Sequence, residues 1–336
     1  MERVNMRELA KRLGVDRSTI SRALSADKSH LVGQETRDRI RAAAEEFGYR
    51  PNLTAASLRR GRTNSIGILV PDLGNEIFVS VIRRLVAELS TDEFPAVTPL
   101  IAETRDDRLM TKALLDAFLS RRVDAILSLA AGEPDVPALV AAANHVPVVL
   151  AIRKVVSADL PTAICDDEAG GAIVAEHFAS RGHRLVLQLQ GPNTAPTFLD
   201  RARGFSAACR RMGIEELHMD AVAATATTGA GRDVAERILA ASARPTAVFA
   251  HNDALALGLL ETLRSHGLSC PEDMAIAGFN NTKIAQLLAT PLTTVAYPAE
   301  PVSAHAAKMV KDLVRDRSAP WKTGIFAPSL IVRGTT

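Results

Sequence analysis

Two hydrophobic periods divide this chain. Over its first fifty residues apolar side chains recur every three to four positions in short runs: Leu9, Ala10 and Leu13, then Ile20 and Leu24, then Ile40, Ala43, Ala44 and Phe47. That spacing predicts three short helices, each burying one face. Arg7, Glu8, Lys11 and Arg12 fall on the polar side of the first, and Arg17, Ser18, Ser21 and Arg22 on that of the second. Gly14 can take the positive φ of a helix end, and Asp16 stands where it can cap a helix starting at Arg17. Val4–Leu24 thus reads as two helices joined by a tight turn, the second carrying basic and hydroxyl side chains outward. A helix-turn-helix, whose second helix enters the major groove, has this layout. So does an ordinary helical hairpin with a solvated basic face. The third helix, Gln34–Gly48, supplies what a small three-helix core needs. After it, Pro51 stops the helix, Asn52 can cap a new one, and Gly61 ends that one after about two turns. A segment so short does not hold as an isolated helix.

From Arg62 onward the period changes. Continuous apolar runs of strand length alternate with helical stripes: strand Ser65–Pro71, helix Ile77–Leu89, strand Val97–Ile101, helix Ala113–Ser120, strand Ala125–Leu129, helix Ala138–Ala143 and strand Val146–Ala151. After Leu160-Pro161 a second series follows, with helix Ala169–Arg181, strand Leu185–Gln190, helices Arg201–Met212 and Arg232–Ala241, strand Ala247–Ala250, helix Asp253–His266 and strand Met274–Ala277. Such alternation predicts mostly parallel sheets covered on both faces, here in two lobes.

Charge sharpens this division. Residues 1–62 hold 14 Lys and Arg against 8 Asp and Glu, leaving 26 against 30 for the rest, so the head is +6 and the body −4. A basic head on an acidic body suits a nucleic-acid reader. Cys165, Cys209 and Cys270 are odd in number and far apart, which indicates neither a disulfide framework nor a zinc site and fits a reducing cytoplasm. The N-terminal stretch is polar, and no apolar run reaches the roughly 18 residues of a membrane span; neither export nor membrane insertion is expected.

Signs of catalysis are thin. Gly229-Ala230-Gly231 precedes a helix, but no G-K-[ST] follows, so a glycine-rich helix entry explains it better than a phosphate loop. Asp166-Asp167-Glu168 reads as helix N-terminal charge rather than a divalent-metal site. No G-x-S-x-G element marks a nucleophile, and His177, His183 and His305 are isolated. An α/β enzyme would need a nucleophile, metal or cofactor constellation, and none is expected. A stand-alone small-molecule-binding protein of the periplasmic type is the other alternative, but one would carry an export signal.

In order, the head supplies Leu9-Ala10, Gly14-Val15, Thr19-Ile20-Ser21-Arg22, Thr36-Arg37, Gly48-Tyr49, Pro51-Asn52, and Ala55 with Leu58. This ordered set resembles the LacI/GalR (lactose/galactose-repressor) family of bacterial transcriptional regulators. Only the loop Ser25–Gly33 departs, being about two residues longer than usual. The resemblance implies an α-helical helix-turn-helix head at 1–50, a hinge helix at 51–62 and a two-lobed, periplasmic-binding-protein-like α/β body at 63–336. It further implies crossovers near Pro161, Pro291 and Trp321–Ile325, so that lobe 1 takes about 63–161 and 292–323, and lobe 2 about 162–291 and 324–336. No heptad tail follows the closing strand Pro328–Gly334, which implies a homodimer. Arg17, Ser18 and Arg22 would meet base edges of a near-palindromic operator duplex, and Asn5, Thr19, Ser21 and Thr36 its phosphates. Asn52, Ala55 and Leu58 would form the minor-groove hinge, with Leu58 as the wedge.

For the effector cleft the same resemblance implies Asp72, Asn75 and Phe78 after the first strand, Arg201, Asn252 and Asn280. Asn280 stands where relatives place a carboxylate, and in Ala151-Ile152-Arg153 a cation follows where many carry an aspartate. Carboxylates grip vicinal hydroxyls, whereas Asn and Arg suit anions or mixed polar groups. The expectation is a small carbohydrate-related effector, anionic or phosphorylated, held in part by Arg201 and Arg153; the alternative is that Arg153 faces solvent and Asn280 only preserves shape.

Overall fold

In the computed structural model, residues 4–24, 29–49, 62–90 and 97–336 are described. The hinge positions Asn52, Ala55 and Leu58, the stop at Gly61 and residues 25–28 of the long loop lie outside them. The chain divides into two compact units, Met1–Thr63 and Asn64–Thr336.

The first unit holds α1 (Met6–Leu13), α2 (Arg17–Ala23) and α3 (Gln34–Glu46), with a 3-10 turn at Ser29–Leu31. Asn5 caps α1, its side-chain oxygen accepting from the amides of Arg7 and Glu8, both at 3.0 Å. Gly14 ends that helix at φ +63, a conformation that costs a residue with a Cβ and that glycine adopts freely. Asp16 does not cap α2 with its carboxylate. The turn closes instead through main chain: the amides of Thr19 and Ile20 reach the Asp16 carbonyl at 2.9 and 3.2 Å. Leu9, Ile20, Ala23, Val32, Ile40, Ala43, Ala44 and Tyr49 make the core. The Arg39 guanidinium fastens α3 to the end of α1 at the Leu13 carbonyl, 3.3 Å away.

The second unit is two parallel α/β lobes. Lobe 1 contains β1 (Ser65–Val70), α4 (Glu76–Leu89), β2 (Thr98–Glu103), α5 (Arg108–Ser120), β3 (Ala125–Ser128), α6 (Val136–Ala143), β4 (Val148–Ala151) and β5 (Thr162–Cys165). Lobe 2 contains α7 (Asp167–Ser180), β6 (Leu185–Leu189), α8 (Pro196–Met212), β7 (Glu215–Glu216), α9 (Thr228–Ala240), β8 (Ala247–Ala250), α10 (Asp253–Ser265), β9 (Ala275–Asn280), α11 (Lys283–Leu287) and β10 (Thr293–Ala296). The chain then returns to lobe 1 with α12 (Ala299–Arg315) and β11 (Gly324–Phe326), and closes in lobe 2 with β12 (Ser329–Ile331). Strand order is β11-β5-β4-β3-β1-β2 in one sheet and β12-β10-β9-β8-β6-β7 in the other. Among the described residues every pairing is parallel except β10 with β12. β3, β4, β5 and β8 are buried along their whole length, as strands covered on both faces must be.

The sheets place the crossovers within a few residues of the approximate expected points. β5, β10 and β11 each complete the sheet of the lobe the chain is leaving. The passages therefore lie after Cys165, after Ala296 and after Phe326, three to five residues beyond the expected points. The expected break at Pro161 marks only the start of a strand. α12 escaped the pattern reading altogether. Its buried positions Val302, Ala306, Met309, Val310 and Leu313 are helically spaced, but alanine and serine dilute the stripe and Pro298 and Pro301 precede or open it.

Two glycines set the approach of α7 to α8. A Cβ on Gly171 would stand 2.1 Å from the Arg201 carbonyl oxygen, and one on Gly204 1.9 Å from that of Glu168. The helices thus pack backbone on backbone. Gly231, the last residue of the glycine-rich entry, does the same against α10: its Cβ would meet the Leu255 carbonyl at 2.6 Å. Packing explains the glycine at 231. Among the described residues no helix is long and apolar enough to cross a membrane.

Candidate functional site

On the first unit, burial sorts α2 by face. Ile20 and Ala23 point into the core, whereas Arg17, Ser18 and Arg22 are exposed and Thr19 and Ser21 half-buried. The three side chains expected at base edges thus share the outer face of one helix. Asn5, with its oxygen committed to the cap, keeps its amide N–H donors outward. Thr36 is half-buried in the first turn of α3.

On the second unit a cleft of about 420 Å³ opens between the lobes, and all seven effector candidates, Asp72, Asn75, Phe78, Arg153, Arg201, Asn252 and Asn280, line it. Six of them lie at or just beyond the carboxyl end of a strand or in the first turn of the next helix, where side chains of a parallel sheet meet at its edge, and Arg201 reaches the cleft from the second turn of α8. Asn75 caps α4 at the Ile77 amide. Asn252 caps α10 at the Leu255 amide, 2.8 Å, and donates to the Ala226 carbonyl at 2.9 Å. Its polar atoms therefore hold the wall. Asn280 takes φ +112 and Ile152 φ +69; for a β-branched residue this is a strained backbone of the kind that persists where surrounding structure over-determines it.

The two arginines are not free cations. Arg201 is buried, its Nε donating to Asp167 at 2.7 Å and its Nη1 to the His251 carbonyl at 2.5 Å, with the guanidinium 3.5 Å from the centroid of the Phe279 ring. Burial pushes the Asp167 carboxyl up to about 6 even with Arg201 beside it. Arg153 is 7% exposed, so it does not face bulk solvent. Its two terminal nitrogens grip both oxygens of Asp106, at 2.5 and 3.2 Å. Both cations expected at the effector line the cleft, and each arrives with its own carboxylate.

Sequence reading missed the loop after β2. Glu103, Arg105 and Asp106 line the cleft, and Arg105 (φ +57) and Asp106 (φ +55) are successive left-handed residues. Glu103 accepts from the Leu73 amide at 2.8 Å and from Arg105 Nε at 3.2 Å, which holds its carboxyl below the ordinary range. Three carboxylates, Asp72, Glu103 and Asp106, thus face three guanidiniums, Arg105, Arg153 and Arg201. Phe78, Phe198 and Tyr297 supply the apolar part. His251, beneath Arg201, bonds Gln188 at 2.9 Å; complete burial and the neighbouring Arg201 keep its imidazole neutral, far below the usual range.

Among the described residues two polar contacts bridge the cleft. Lys154 Nζ, following Arg153, reaches Asp200 Oδ2 at 2.9 Å next to Arg201. On α11 the Lys283 amide donates to Glu76 Oε1 of α4 at 3.3 Å.

Comparison with known proteins covers both units. Residues 5–52 match bacterial regulatory proteins of the lacI family, and residues 175–336 match the periplasmic binding protein-like domain. The HTH-type transcriptional repressor CytR of Escherichia coli is 29% identical over 332 residues, covering 98% of this chain and 96% of the relative. The HTH-type transcriptional repressor PurR of Photobacterium profundum is 26% identical over 330 residues, covering 98% and 97%. Among solved structures, the lac repressor dimer bound to operator and the anti-inducer ONPF superposes with a TM-score of 0.83 at 22% identity over 99% of each chain.

Proposed function

Because this chain belongs to the lacI family of bacterial regulatory proteins, we propose that it represses transcription by binding a near-palindromic operator as a homodimer and that an uncharged, hydroxyl-bearing, carbohydrate-related effector in its cleft changes that affinity. It is a DNA-binding regulator, as CytR and PurR are, and not an enzyme. The observation that carries the reading is the face of α2: Arg17, Ser18 and Arg22 stand outward over a helix whose inner residues are wholly buried. Arginine pairs bidentately with guanine O6 and N7, and a good pair of this kind contributes about 1–3 kcal/mol of discrimination. Asn5, Thr19, Ser21 and Thr36 position the head on phosphates. Asn52, Ala55 and Leu58 act at the minor groove. The lac repressor, solved as an operator-bound dimer, supports a twofold arrangement. The operator places the protein in the bacterial cytoplasm.

An uncharged effector fits a cleft in which Arg105, Arg153 and Arg201 are each paired with a carboxylate. Paired guanidinium and carboxylate groups present donors beside acceptors, the complement of neighbouring hydroxyls. By moving the lobes, the effector shifts operator affinity in proportion to its preference for one lobe arrangement over the other.

Selection of random duplex DNA by the full chain tests the proposal. Enrichment of two inverted half-sites, with binding that weakens steeply as salt rises, is the expected result. An unenriched pool, with or without candidate effectors present, would contradict it.

A further inference from the structure

The pair formed by Arg153 and Asp106 is built with unusual care. The two residues lie 47 positions apart and meet through two hydrogen bonds. Each side of the pair carries non-glycine residues at positive φ: Arg105 and Asp106 on one, Ile152 on the other. Such backbone is retained only where neighbours enforce it. Asp135 feels the charge of both members from a distance, but it is committed to the Gly132 amide at 3.1 Å. Among the described residues Asp106 is therefore the carboxylate in direct contact with Arg153. Arg153 is almost fully buried, while the Asp106 side chain remains 37% exposed at the cleft. An uncompensated guanidinium in that position would be a strong anion site, since charge-assisted forks to phosphate and carboxylate are among the strongest hydrogen bonds.

Resting on the proposed effector cleft, we propose that Asp106 is a specificity-determining residue: by occupying the fork of Arg153 it makes the lobe 1 wall accept uncharged hydroxyl-bearing effectors and refuse their anionic counterparts. The acceptor oxygens of Asp106 then meet effector hydroxyls, and Arg153 serves to position that carboxylate. An anion entering the cleft would have to displace Asp106 from a partner that is already satisfied, and would meet its negative charge on the way.

Inorganic phosphate tests this without knowledge of the natural effector. Calorimetric titration of the full wild-type chain should give no saturable binding up to roughly 10 mM. Asp106→Asn should gain saturable phosphate binding, at least tenfold tighter than wild type, and Asp106→Asn combined with Arg153→Gln should lose it. Asp106→Ser provides the same release of Arg153 with a smaller side chain. Saturable phosphate binding by wild type that Arg153→Gln abolishes would overturn the proposal on the native chain alone. A gain in Asp106→Asn that survives Arg153→Gln, or no gain in either folded variant, would overturn it as well. None of these titrations contains DNA, so their failure leaves the regulator reading to its own test.

Discussion

Arg22 and Asp253 show how differently single residues carry function and stability. Arg22 is exposed on the outer face of α2, so Arg22→Ala should leave the fold intact and cost about 1–3 kcal/mol on operator but much less on random duplex. Equal losses on both, measured by fluorescence anisotropy at one salt concentration, would place Arg22 on phosphate instead. Asp253 is buried and accepts from Thr294 Oγ1 at 2.6 Å and from the amide and hydroxyl of Thr282 at 2.7 and 2.9 Å. Burial outweighs these bonds and pushes its carboxyl up to about 6. The folded chain thus takes up this proton at a higher pH than the unfolded chain, whose carboxylates titrate near 4. Stability from this group should rise as pH falls from about 7 to about 4. Urea midpoints of wild type minus those of Asp253→Asn, followed across that window, should grow toward acid; a flat difference would refute the sign. At this scale the outer face of α2 was legible because helical period is local. The Asp106 fork was not: two successive left-handed residues and a partner 47 positions away leave no local pattern.

At the scale of elements, glycine placement decides whether the cleft forms. Alanine ordinarily favours a helix over glycine by about 1 kcal/mol, but in α7 and α8 the added methyl would stand 2.1 or 1.9 Å from a carbonyl oxygen of the facing helix. Overpacking of that kind costs about 1–3 kcal/mol or more and outweighs the propensity gain. Gly204→Ala should therefore lower the urea midpoint and, by separating the helices, loosen the Arg201 and Asp167 pair. Gly229→Ala offers a comparison: it too is helical, but its added Cβ would meet nothing nearer than an Arg232 side-chain nitrogen at 3.9 Å. A Gly204→Ala chain no less stable than Gly229→Ala would show that the close packing is unimportant. Strand and helix alternation was readable because buried parallel strands are continuous apolar runs. Lobe membership of β5, β10 and β11 was not, because it depends on which distant strand offers an open edge.

For the whole molecule, the arrangement of residues 153–154 and 200–201 matters most. Arg153 and Arg201 face the cleft, while their neighbours Lys154 and Asp200 join the two lobes. Whatever reorients the first pair acts on the second through the shared backbone. Lys154 is about a third exposed, so screening limits the pair to roughly 1 kcal/mol or less. Lys154→Met should accordingly shift the half-effective concentration of an effector by about two- to fivefold without changing which operator is selected. No shift in an effector titration of operator binding would remove the bridge from the switch.

The most direct test of ligand-coupled DNA binding is the operator dissociation constant of the full chain, measured at one salt concentration with and without a saturating uncharged cleft ligand. Such a ligand can be found by thermal shift, through loss of its stabilisation in Arg201→Gln. The account predicts a change of about 5- to 150-fold, the usual range of coupling between two sites. An operator affinity that stays the same with the cleft filled would contradict it.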